Sequence, residues 1–215
     1  MKITRYFRTH PFSIMALCNV TGDLCYVGFA FASHGFVSIP KLLGASSAVM
    51  AHLVLLAYGD DQARHIAHET GGLAQVTLRL RKFAQVMLQN LPERLQHIFR
   101  AKPIGIPFIM LGMNGVGLLV DALVLHPATG FFWQIMLAIP MIIGCACFAL
   151  ADFVRQQKMA NILLKIGPSS FLVCTLFNAG LGLTTGNVFL LVGWAVFQVA
   201  NIAGFYTKID KTQAI

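Results

Sequence analysis

The apolar residues of this chain fall in long blocks interrupted by isolated polar positions, not in the alternation of half-buried strands. Six blocks approach the ~20 residues that a helix needs to cross the hydrocarbon core of a bilayer. They are Phe12–Ser33, Leu42–Tyr58, Ile104–Val124, Phe131–Phe153, Ile162–Leu183 and Val188–Tyr206, of which Leu42–Tyr58 is the shortest. Helices are the default for such blocks, because an open strand would leave backbone groups unpaired in lipid. The pattern predicts an all-α integral membrane protein, one domain over residues 1–215, with six transmembrane helices.

The longest connection, Gly59–Lys102, has another rhythm. From Gly72 onward Leu73, Val76, Leu80, Phe83, Met87 and Leu91 recur at three- and four-residue steps, with Gln75, Arg79, Arg81, Lys82, Gln85 and Gln89 around them. This predicts an amphipathic helical segment over about 72–99, ended or bent by Pro92. It has two natural placements: in the membrane interface, held by apolar burial and anionic lipid, or against the inner face of the bundle.

Charge orients the blocks. Every lysine and arginine except Lys41 falls in the N-terminal stretch, the connections after the second and fourth blocks, or the C-terminal tail, with Lys165, at the inner edge of the fifth block, counted to the connection after the fourth. The connections His34–Pro40, His126–Gly130 and Thr184–Asn187 carry none. Lys and Arg accumulate in cytoplasmic loops, so the expected topology places both ends inside, in a bacterial inner membrane. The basic start before the first block resembles a secretory signal, but the apolar run is too long and lacks a cleavage pattern, so it is read as a retained helix.

Composition agrees. The chain has 215 residues, 57% hydrophobic and 11% charged, with a mean hydropathy of +0.71. Soluble domains carry about 25% charged residues, and this chain has too few to cover a water-soluble surface. The net charge of +8 sits beside apolar blocks, where it suits anionic headgroups. It is not interleaved with stacking aromatics as in nucleic-acid binders, so no nucleic-acid partner is expected. Cys18, Cys25, Cys145, Cys147 and Cys174 all fall inside blocks and read as packing residues; Cys145 and Cys147 lack zinc-site spacing. No phosphate-binding loop, dinucleotide turn, nucleophile elbow or zinc helix is encoded, and no cofactor is expected.

A weak threefold pattern suggests three helical hairpins. A basic residue precedes a proline near the start of each odd-numbered block (Arg8 and Pro11, Arg100 and Pro103, Lys165 and Pro168), and an asparagine followed by glycine lies deeper in each (Asn19, Asn114, Asn178).

Candidate chemistry lies at membrane depth, where a charged side chain costs several kcal/mol and calls for a partner or a purpose. Asp23 falls near the middle of the first block, one turn beyond Asn19 on the same face. His52 falls near the middle of the second, on the neighbouring helix, so Asp23 and His52 are placed to meet. Histidine changes charge near neutral pH, and beside a carboxylate it can pass a proton. Asn114, Asp121, Thr175, Asn178, Gln198 and Asn201 add further polarity; Asp121 is expected near the wetter outer boundary. The candidate substrate or ion path is Asp23, His52, Asn19, Asn114 and Gln198. The structural alternative is hydrogen bonding between helices.

Two functions fit: a small transporter or channel with a polar path near mid-membrane, or a non-catalytic membrane subunit or scaffold of a larger envelope or respiratory complex. An enzyme is the weaker third. Partners follow from the same reading: the lipid bilayer, anionic lipids at the basic loop, and other membrane proteins or further copies of the chain.

Overall fold

The computed structural model describes residues 2–34, 39–62, 72–125 and 131–209. The connections expected to face outward near 35–38 and 126–130, Arg64 of the basic loop, and Lys211 of the tail lie outside the described residues. Within them every regular element is helical.

A short helix, α1 (Lys2–Thr9), leads into α2 (Pro11–His34) and α3 (Ile39–Tyr58), which ends in a 3₁₀ turn at Gly59–Gln62. The basic loop folds as α4 (Gly72–Gln89) and α5 (Glu93–Ala101), separated at Pro92 as the residue's missing N–H dictates. Next come α6 (Gly105–Val120), continuing as a π-helical turn over Asp121–Leu125, then α7 (Phe131–Phe153), α8 (Gln157–Thr185) and α9 (Val188–Phe205). Between α8 and α9 the chain reverses at Gly186 with φ of 63°, and Asn187 caps α9 by accepting the Leu190 N–H at 3.3 Å.

Four of these helices are long and apolar enough to cross a membrane: Gly105–Val124, Gln134–Phe153, Gln157–Thr185 and Val188–Phe205. Leu42–Tyr58 is a shorter apolar helix. The fifth block needs correction. Its helix begins at Gln157, so Lys158 and Lys165 belong to its first turns and not to a connection. Pro168 then lies inside α8, whereas Pro11 opens α2 and Pro103 precedes α6. The three proline positions are therefore not structurally equivalent.

The long helices pack in chain order, α2 on α3, α3 on α6, α6 on α7, α7 on α8 and α8 on α9, and α9 returns to α2. The result is a closed ring. Small residues permit the tight crossings: a Cβ on Gly117 of α6 would lie 2.6 Å from the Pro40 carbonyl oxygen, and one on Gly44 would lie 2.9 Å from Asn114 Cα.

Carboxylates tie the ring at its basic end. Asp60, after α3, accepts the backbone N–H groups of Phe12 and Ser13 at 2.9 and 3.0 Å and the Ser13 hydroxyl. Burial pushes its pKa up, while the Ser13 hydroxyl, the two N–H groups and nearby His10 pull it back. Asp152, at the end of α7, accepts the Gly105 N–H at 2.8 Å at the start of α6. In both cases a carboxylate meets the first turn of a neighbouring helix, where N–H groups are unsatisfied and the dipole favours negative charge.

The surface is inverted relative to a water-soluble bundle. Ile109, Val116, Ile143, Leu176, Val192 and Ile202 point outward and exposed, while Thr175, Asn178 and Asn201 are buried.

Candidate functional site

The ring surrounds a partly open cavity of about 100 Å³, room for about three waters at their share of liquid volume. All six long helices line it. On α2 the lining residues are Met15, Asn19 and Asp23, spaced by four so that they share one face. On α7 they are Leu137, Met141 and Cys145, by the same spacing. Helix α3 contributes His52, α6 contributes Leu111, Asn114 and Leu118, α8 contributes Phe171, Cys174, Thr175 and Asn178, and α9 contributes Phe197, Ala200 and Asn201.

The structure brings Asp23 and His52 together: Oδ2 of Asp23 lies 3.0 Å from Nε2 of His52. The histidine is 2% exposed and the carboxylate 25%. With the proton on Nε2, the ring donates to the carboxylate, whether as imidazole or imidazolium. His52 Nδ1 then has no partner among the described residues.

A second polar cluster lies between α8 and α9, the helix that packs on α2. Gln198 Nε2 donates to the Thr175 hydroxyl at 2.7 Å and Asn201 Nδ2 donates to the same oxygen at 3.2 Å. The Thr175 hydroxyl donates onward to the Leu172 carbonyl at 2.9 Å. Asn178 Nδ2 donates to the Leu190 carbonyl at 3.4 Å, leaving its Oδ1 without a partner among the described residues.

Towards the basic end the cavity meets an aromatic floor. Phe108 and Phe148 stack with ring centroids 4.3 Å apart, and Phe171 stacks on both at 6.4 and 6.0 Å. Phe108 and Phe148 are fully buried, and Phe171 belongs both to this stack and to the cavity lining.

Of the five residues proposed from sequence, Asn19, Asp23, His52 and Asn114 line the cavity. Gln198 is not among the lining residues and reaches the site through Thr175. Asp121, expected at the wetter boundary, is fully buried in the π turn. The sequence reading missed Phe171, Phe197, Cys145 and Cys174 as lining groups. Nothing in a linear apolar block separates an inward phenylalanine or cysteine from one that faces lipid. Among the described residues no group of three or more His, Cys, Asp or Glu is placed to hold a metal ion.

Compared with protein-family models, curated proteins and solved structures, the chain matches none.

Proposed function

We propose that this chain is a six-span transporter or channel of a bacterial inner membrane, with both ends in the cytoplasm and a solute or proton path through the central cavity. Asp23 is its charged group and His52 the partner that neutralises or reprotonates it. One observation carries the reading: a carboxylate–imidazole pair 3.0 Å apart opens onto a cavity lined by all six long helices. A purely structural bundle has no need to hold an ionisable pair beside open volume, where its desolvation is costly. Helices α2 and α3, at 24 and 20 residues, have the length to complete six spans.

The amphipathic α4 supports the membrane reading from outside the ring. It packs through Thr77, Ala84 and Leu88, tied by a hydrogen bond between the Thr77 and Tyr6 hydroxyls and by Arg81 and Gln85 donating to the Ala57 carbonyl at 3.1 and 3.2 Å. Its Val76, Phe83 and Met87 stripe remains exposed. That stripe, flanked by Arg79 and Lys82, suits the headgroup boundary of an anionic leaflet, so α4 combines both placements open to it.

The test is flux through purified protein in liposomes that trap a pH-sensitive dye, with the membrane potential set by potassium and valinomycin. Wild-type protein passes protons under an imposed potential and Asp23→Asn does not. Equal flux from both proteins would defeat the reading and favour a non-transporting subunit.

A further inference from the structure

The chemistry of the cavity lining narrows what it accepts. Among its described residues Asp23 is the one carboxylate, and the remainder is largely apolar or aromatic, with Met15, Met141, Phe171 and Phe197 as its bulkiest members. Aromatic faces attract cations and sulfur-bearing side chains adapt to irregular shapes. Two buried atoms of lining residues have no donor among the described residues: Oδ1 of Asn178 and, when Nε2 holds the ring proton, Nδ1 of His52. These residues are 4% and 2% exposed. Buried acceptors without donors are rare in native structures and call for a partner. Water supplies donors but no positive charge to replace His52 beside Asp23.

We infer that the cavity takes a small monovalent organic cation bearing N–H donors, of the alkylammonium or guanidinium class, in exchange for the Nδ1 proton of a His52 imidazolium paired with Asp23. The inference rests on the cavity being a path. A volume of about 100 Å³ lies below the roughly 150 Å³ of an apolar cavity that holds benzene, so the cation is smaller than an aromatic drug. The exchange balances in charge. The incoming cation occupies the Asp23 carboxylate, and the imidazolium of His52, losing its counter-ion, releases one proton to the aqueous phase. On the other side of the membrane a proton returns to His52 as the cation leaves. No bond other than N–H is made or broken, and one positive charge moves each way; without the cation the empty site passes the proton alone, and that uncoupled flux is the one an imposed potential drives.

The other titratable groups facing the pair are few. Helix α7 presents the Cys145 thiol and α8 the Cys174 thiol, which donates to the Leu137 carbonyl at 3.3 Å. The lining residues of α6 and α9 are not titratable. Proton exchange at the cavity is therefore assigned to Asp23 and His52.

The test uses the full chain in liposomes with an internal pH dye and two permanently charged probes, guanidinium and tetramethylammonium. Neither crosses lipid as a free base, and only guanidinium carries N–H donors. An inward guanidinium gradient should drive protons outward through the wild type, several-fold faster than tetramethylammonium does, and the response should vanish in Asp23→Asn. Equal responses to the two cations would overturn the donor requirement. If neither cation moves protons while Asp23-dependent proton flux persists under an imposed potential, the cation class is wrong and the path stands. If no Asp23-dependent flux exists at all, both fall.

Discussion

The carboxylate of Asp60 accepts the backbone N–H of Ser13, joining the end of α3 to the first turn of α2 across 47 residues of sequence. Asp152 joins α7 to Gly105 of α6 in the same way. These two contacts close the basic end of the ring, and each replaces water at a helix terminus that would otherwise be buried unsatisfied. Charged hydrogen bonds of this kind contribute about 1.5–3 kcal/mol each. Asp60→Ala and Asp152→Ala should each lower the thermal unfolding midpoint in detergent by several degrees, whereas Glu93→Ala, at an exposed site, should not. Unchanged midpoints would show that the carboxylates are not structural ties.

Asp60 also predicts a pH dependence. Burial raises its pKa in the folded protein above the ordinary value of 3.8. For an acid with a raised folded pKa, the stabilising contribution is complete below the unfolded value and is lost as pH rises through the folded one. Wild-type stability should therefore fall as pH climbs from about 4 through the raised value, and Asp60→Asn should lack that part of the slope. Identical slopes in unfolding scans of the two proteins would contradict this.

The exposed stripe of α4 makes a separate prediction. Replacing Phe83 and Met87 with serine removes apolar surface that nothing in the described structure covers. The ring should stay folded while the Gly72–Gln89 segment, made as a peptide, gains less helicity on anionic vesicles than the native peptide. Native peptide helicity equal on neutral and anionic vesicles would remove the electrostatic part of the argument.

For topology, single cysteines in a background without the five native ones should react with an impermeant reagent from outside at Thr185 and from inside at Gln89, both exposed positions. Labelling of Gln89 from outside would reverse the orientation.

Much of the fold was legible because apolar blocks of this length have one cheap solution in lipid. Five of the six blocks agree with long helices at both ends to within a few residues. The fifth block failed at its start: Lys158 and Lys165 were assigned to a connection because charge usually ends a span, yet long lysine side chains on helix α8 can extend to the interface while the helix continues. The Asp23 and His52 encounter was legible from depth and from neighbouring helices alone. Closure of the ring by α9 against α2 was not. It depends on close approaches such as that of Gly22 to the Phe197 ring, where an added Cβ would lie 2.4 Å away, and a lone glycine in a span does not announce its partner. Asp121 stands at the end of α6 but is enclosed and not wet, because the π turn that buries it leaves no signature in composition.

The most direct test of the account is whether Asp23 and His52 act as one unit in transport. Their 3.0 Å contact can be interrogated by measuring proton flux in liposomes for wild type, Asp23→Asn, His52→Ala and the double variant, with folding checked by gel filtration and helicity. Loss of a charge-assisted hydrogen bond of about 1.5–3 kcal/mol corresponds to roughly a ten- to hundredfold fall in flux. His52→Ala should show a fall of at least that order and Asp23→Asn should show no flux above protein-free liposomes, and the double variant should be no worse than Asp23→Asn, the non-additivity of a coupled pair. Full flux in a folded Asp23→Asn variant, or losses that add in the double variant, would contradict the relay.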